Sequence, residues 1–216
     1  MDWAAKRDRA VAEHALRLGE APTEGEREDL RLGRIAGASW AAGLASRMLG
    51  DEAGAADWLG RAADEYATSW EGAPAASWGR PIAVLRCRLM AGDPGGTRAA
   101  AAAALDAGAL DAPGAIAGYC AALALLAAGR DDEAARVADR VVADGLEPAA
   151  VGEALAAIAR GDDDGLATAR REVLRSFEER DAFLEDVPVA DTVLVLDALA
   201  RERGLRLDPL PSALLP

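Results

Sequence analysis

Apolar positions along this chain recur at three- and four-residue intervals, the period of a helix, and the runs are cut by glycine followed closely by acid. Residues 2–18 read as a first helix, with Trp3, Ala4, Val11, Ala15 and Leu18 near one face. The stretch APTEGE follows, in which Thr23 caps and Glu26 closes a capping box for a long second helix. That helix carries Gly33, Gly37 and Ala41 at four-residue spacing, a small-residue stripe that admits a close neighbour. In IAVLRCRLMA, Ile82, Leu85 and Leu89 form a core stripe, Arg86 borders it and Arg88 points elsewhere. EPAAVGEALAAIARG has Pro148 in a first turn and stops at Gly161. EDVPVADTVLVLDALARERG starts at Asp186 and Pro188 and aligns Val189, Val193, Leu196 and Ala200. It sets Arg201 and Arg203 before Gly204. The VLVL run at 193–196 alternates with no polar face, and the flanking caps assign it to a helix rather than a strand.

The stops themselves repeat. LGDEAGAA (49–56), AGDPGGTRAA (91–100), AGRDDEAA (128–135) and RGDDDGLA (160–167) each join two helices, and Gly50, Gly92, Gly129 and Gly161 are 42, 37 and 32 residues apart. Glycine takes the left-handed conformation that ends a helix. The acid behind it caps the next helix and faces its positive end. Such spacing predicts stacked helical hairpins, about ten helices in all. The expected turns lie near 19–23, 50–52, 92–95, 129–131 and 161–163 of one domain spanning 1–216, with 205–216 as a C-terminal tail.

Within this pattern, GYCAALALLAAGRDDEAARVADRVVADGLEP (118–148) resembles a tetratricopeptide repeat. Gly129 matches the inter-helix glycine, Ala134 the small residue opening the second helix, and Pro148 the closing proline, two positions late. Gly118, Ala121 and Ala122 replace the large aromatic and Leu-Gly signals of the family's first helix, and Leu125 stands where tyrosine is common. The other units match around the turn alone. The resemblance implies an all-α fold, a right-handed α-solenoid of antiparallel hairpins. It also implies binding of peptides or proteins on a concave face, small molecules being a minority use.

Composition agrees with the helical reading: 51% of residues are hydrophobic, much of that alanine, and 4% are aromatic. The net charge of −13 repels phosphate backbones and anionic surfaces, which argues against nucleic-acid and membrane partners. Cys87 and Cys120 lie in helices without CxxC spacing and read as buried free thiols of a reducing compartment. With no apolar run of spanning length and no signal-peptide core in MDWAAKRDRA, the expected location is cytoplasmic.

Candidate chemistry is sparse. His14 is the single histidine, and no partner for acid–base work is readable. There is no GxSxG and no Cys/His cluster, so neither a catalytic residue, a metal nor a cofactor is expected. GDDDG lacks the glutamate of a calcium loop and reads as a capping turn. Glu178, Glu179, Asp181, Glu185 and Asp186 read as surface charge. Trp40 and Trp58 look like core anchors. Trp70 and Trp78 flank the Ala/Gly/Pro connection TSWEGAPAASWGRP, ahead of Arg80. These tryptophans either plug the junction between hairpins or, with Arg80 and Arg86, form a binding face, since Trp and Arg are enriched in hot spots.

The leading expectation is a non-catalytic protein- or peptide-binding scaffold module; a bacterial or archaeal regulatory or immunity-type partner is one form of it. The alternative is a helical domain with a small-molecule or enzymatic pocket between hairpins. Self-association through the Gly33/Gly37 stripe or the tail LDPLPSALLP is a third.

Overall fold

The computed structural model describes residues 1–21 and 25–216. Ten α-helices follow one another: α1 Trp3–Gly19, α2 Glu28–Met48, α3 Glu52–Glu71, α4 Gly79–Ala91, α5 Pro94–Asp106, α6 Ala115–Ala127, α7 Asp131–Ala143, α8 Ala149–Arg160, α9 Asp163–Glu178 and α10 Asp191–Glu202. A short 3-10 turn, Leu184–Asp186, precedes the last, and the described residues contain no strand. The helices form two compact units. One is Met1–Asp93 with Asp181–Val189 and Pro216, and the other is Pro94–Arg180 with Ala190–Leu215. In the first, α1 packs on α2, α2 on α3 and α3 on α4. In the second, each of α5 to α9 packs on the next, and α10 lies against α8 and α9.

The glycine stops behave as their chemistry requires. Gly50, Gly92, Gly129 and Gly161 have φ of 75°, 68°, 70° and 69°. Asp51 Oδ1 accepts from Gly54 N and Asp162 Oδ1 from Gly165 N, each at 2.9 Å. A Cβ on either glycine would run into that carboxylate, so GDEAG and GDDDG work as matched cap and clearance. At Gly129 the acids fall instead inside the first turn of α7, as Asp131, Asp132 and Glu133, where they meet the helix dipole.

Some expected starts and faces differ. Thr23 lies outside the described residues. The second helix begins at Glu28 with Arg27 in the cap position and no side-chain cap; Glu26 lies before it and pairs with Arg34. In α1 the buried residues are Ala10 and His14, while Ala4, Ala15 and Leu18 are exposed. The helix is turned that way because His14 finds a polar partner inside, Glu65 of α3, which an apolar-stripe reading does not weigh. Pro148 sits in the cap position of α8 rather than in its first turn, and Trp78 holds the cap position of α4. Asp186 stands in the 3-10 turn with φ of 55°, and α10 starts later, at Asp191.

The expected core stripes are present: Ile82, Leu85 and Leu89 in α4, and Val189, Val193, Leu196 and Ala200 along and just before α10, are buried. Both cysteines are free and buried. Burial pushes the Cys120 thiol up to about 12. α6 is buried without a break from Ala117 to Leu126. Its contact with α7 is close because a Cβ on Gly118 would lie 2.5 Å from Val141 Cγ2. On the other side of α7, Val142 Cγ2 comes within 2.6 Å of a Cβ on Gly152 of α8.

The tail lies against α9 and the start of α10. Arg206 N donates to Asp163, Arg170 Nη1 to the Asp208 carbonyl, Ser212 Oγ to Glu178, and Ala190 N to the Leu214 carbonyl. It therefore runs alongside α9 from first turn to last. Six extended residues and fifteen helical ones both span about 20 Å, so the two lengths match. Leu205, Leu207, Leu210 and Leu214 are half-buried, with Arg206 and Asp208 exposed between, the alternation of an extended segment lying on one face.

Candidate functional site

Trp70 ends α3 and Trp78 precedes α4; both rings are half-buried. The connection between them contains Ala76 at φ of 64°, an uncommon conformation for a residue with a Cβ. Arg80 does not turn to either ring. Its guanidinium lies on Gly33 of α2, where a Cβ would stand 2.5 Å from Nη1, and its Nη2 donates to the Asp29 carbonyl at 3.3 Å. The same carbonyl accepts from Ser69 Oγ at 2.6 Å. The Asp29 carboxylate takes two bonds from Arg27, 2.9 and 2.7 Å, and this hydrogen bonding above all holds its carboxyl below the usual carboxylate range.

One turn along α2, Gly37 makes room for another charged group. The Glu185 carboxylate lies 2.8 Å from where a Cβ would be. Arg17 grips that carboxylate at both oxygens, 2.8 and 3.0 Å, and also donates to Glu13 at 2.9 Å and to the Arg34 carbonyl at 2.6 Å. The hydrogen bond that Arg17 donates to Glu185 is the foremost influence raising the Arg17 pKa. The close neighbours that the small-residue stripe admits at Gly33 and Gly37 are thus an arginine and a glutamate side chain. Close by, Tyr66 is buried. Desolvation, the dominant cause, drives its phenol well above the ordinary tyrosine range, with Cys87 and Glu185 adding and the charges of Arg80 and Arg86 opposing. Arg80 and Arg86 therefore share the electrostatic surroundings of Tyr66, whereas the tryptophan rings stay at the surface of their connection.

A second polar cluster was not legible from sequence. His14 Nε2 lies 2.8 Å from Glu65 Oε1, and Ser39 Oγ donates to Glu65 Oε2 at 2.7 Å. The histidine is 3% exposed and meets Trp58 edge-on at 5.4 Å between ring centroids; Arg61 covers Trp58 at 4.9 Å. Glu65 is the centre here, with histidine and serine each using one of its oxygens. This arrangement ties α1, α2 and α3 together. It leaves no serine–histidine bond of the kind nucleophilic catalysis uses.

The surface depressions differ in kind. An open groove of about 590 Å³ in the second unit is lined by Val142, Ala156 and Ala169 among Asp139, Glu153 and Asp164. Another open groove, of about 570 Å³, runs past Val11, Ala12, Ala15 and Trp58. A smaller, more enclosed cavity of about 250 Å³ lies beside α1, among Lys6, Arg9, Glu13, Arg17 and Glu185. Among the described residues no group of three or more His, Cys, Asp or Glu side chains could hold a metal ion. No helix there is long and apolar enough to cross a membrane. Compared with known proteins, the chain matches no family model, no curated protein and no solved structure.

Proposed function

We propose that this chain is a non-catalytic binding module, a tetratricopeptide-like stack of helical hairpins with solenoid order, that holds a protein or peptide partner. The observation that carries this reading is the form of the two open grooves. The grooves of about 590 and 570 Å³ are open and lined by small apolar residues mixed with charged ones, suited to a chain laid across them rather than to an enclosed small molecule. Within each unit, packing of helices on their sequence neighbours supports the repeat-like order. A further part of the partner surface, outside both grooves, is the connection carrying Trp70 and Trp78, half-buried aromatics between rigid helices, with Arg80 on Gly33 and Arg86 in the surroundings of Tyr66.

The small-molecule alternative draws on the cavity beside α1. At about 250 Å³ it falls below the ~300–1,000 Å³ of typical ligand pockets, and its lining is mostly charged. The test is affinity capture from the native host with the wild type, Trp70→Ala and Trp78→Ala. Loss of the same captured protein with both substitutions supports the reading. Capture unchanged by either removes this face from it. Arg80→Ala is a poor probe, because it also empties the space over Gly33.

A further inference from the structure

The segment entering α10 is held on α1 and α2 by charge. Lys6 Nζ donates to the Asp186 carbonyl at 2.6 Å, Arg9 reaches the Asp186 carboxylate at 3.5 Å, and Arg17 takes both oxygens of Glu185. Lys6, Arg9, Glu13 and Arg17 recur at three- and four-residue spacing, so the cations form one row along a single face of α1. Ala10 and Ala41 complete the walls of the cavity of about 250 Å³ beneath, and Gly37 gives the carboxylate its depth. Arg17 is aimed independently of this segment, through Glu13 and the Arg34 carbonyl.

The occupant is held with little apolar burial. No residue of Leu184–Asp186 is buried, and Leu184 is 61% exposed. Glu185 and Asp186 both take left-handed φ, 52° and 55°, which side chains with a Cβ adopt only under constraint. Firm anchorage begins at Val187, which is buried. A segment with few buried apolar contacts and strained dihedrals opens at low cost. Once Glu185 and Asp186 withdraw, Glu13 is the one carboxylate facing Lys6, Arg9 and Arg17 in this cavity, a cationic site in a chain of net charge −13.

We propose that the Lys6–Arg9–Arg17 row and the groove at Gly37 form a binding site for an acidic peptide segment with adjacent carboxylates, and that Leu184–Asp186 is its built-in occupant, displaced when such a segment arrives. The partner is acidic by charge complementarity, since each cation already meets a carboxylate or carbonyl of the sequence Glu-Asp. The site uses neither Trp70 nor Trp78, so it stands or falls separately from the face proposed above.

The experiment uses the full chain and the hexapeptide acetyl-Phe-Leu-Glu-Asp-Val-Pro-amide, titrated calorimetrically into the wild type and into E185A/D186A. The double variant is expected to bind the peptide about tenfold or more tightly than the wild type, whose site is open only part of the time. Added R17A should abolish that binding, as should the Gln-Asn version of the peptide, and raised salt should weaken it. A folded E185A/D186A that binds no peptide at ~1 mM, a weak-affinity limit near 4 kcal/mol, overturns the proposal. If that variant does not fold, amide exchange of the wild type is followed with and without excess deca-glutamate. Faster exchange at 184–186 supports the proposal, and unchanged exchange overturns it.

Discussion

Val141 of α7 rests on Gly118 of α6, so close that a Cβ at 118 would lie 2.5 Å from Val141 Cγ2. A β-branched side chain yields little, having few rotamers to move to. Gly118→Ala should therefore destabilise the second unit by about 1–3 kcal/mol through overpacking. Val141→Ala alone leaves a cavity. The double variant should lose less than the two single losses combined, because the new methyl enters the space the valine vacates. Urea unfolding of the four proteins checks this, and strict additivity would count against the close contact.

The buried pair Arg170–Asp197 invites a different comparison. Arg170 Nε lies 2.7 Å from Asp197 Oδ1, and Nη2 lies 3.1 Å from Oδ2. Asp197→Ala leaves the arginine buried without its partner and should cost about 3–5 kcal/mol, whereas Arg170→Met with Asp197→Leu should cost far less. Thermal melts of the single and double variants distinguish the two outcomes.

Acidity adds a signed prediction at the same residue. Burial raises the Asp197 carboxyl above its ordinary value despite Arg170 and Arg201. Between the unfolded and folded pKa values the native chain holds more protons than the unfolded one, so stability from this residue falls as pH rises through that window. The stability of the wild type relative to Asp197→Asn should decline over the same window, as read by melts from acid to neutral pH. Asp29 has the opposite sign. Its lowered pKa gives stability above the ordinary carboxylate value that disappears as pH falls through the folded one.

Glu65 serves His14 and Ser39 at once. Glu65→Leu should strand both partners and cost about 1–3 kcal/mol for each group left unsatisfied, while Ser39→Ala should cost roughly 1 kcal/mol. Amide exchange should show α1 loosening before α4. Uniform loosening of the first unit would mean that the cluster does not fasten α1 in particular.

The tail along α9 predicts a local effect as well. Leu207→Asp places a charge on the half-buried side of that segment and should lower stability by about 1–2 kcal/mol. The faster amide exchange should concentrate in α9, with α3 unaffected.

Much of the helical order was readable because it is written locally. Gly50, Gly92, Gly129 and Gly161 mark their stops, and α10 shows its buried face in four spaced apolar residues. Arg17 and Glu185 are another matter, being 168 residues apart in sequence, a separation no periodicity encodes. The first helix misleads for a related reason: His14 is buried against Glu65 and Trp58 of α3, which turns the apolar side of α1 outward. Gly33 and Gly37 announce a close approach without saying by what. Charged side chains, absent from the usual expectation of helix against helix, fill the space.

The first unit is discontinuous in the chain, with Asp181–Val189 completing it after the 87 residues 94–180 have intervened. On a ribosome working at ~5–20 residues per second, that gap lasts roughly 4–17 s. Throughout it, Lys6, Arg9 and Arg17 have been synthesised and their own Glu185 and Asp186 have not. Every new molecule thus passes through an interval, set by the order of translation rather than by any equilibrium, in which the α1 cations have yet to meet the carboxylates that neutralise them.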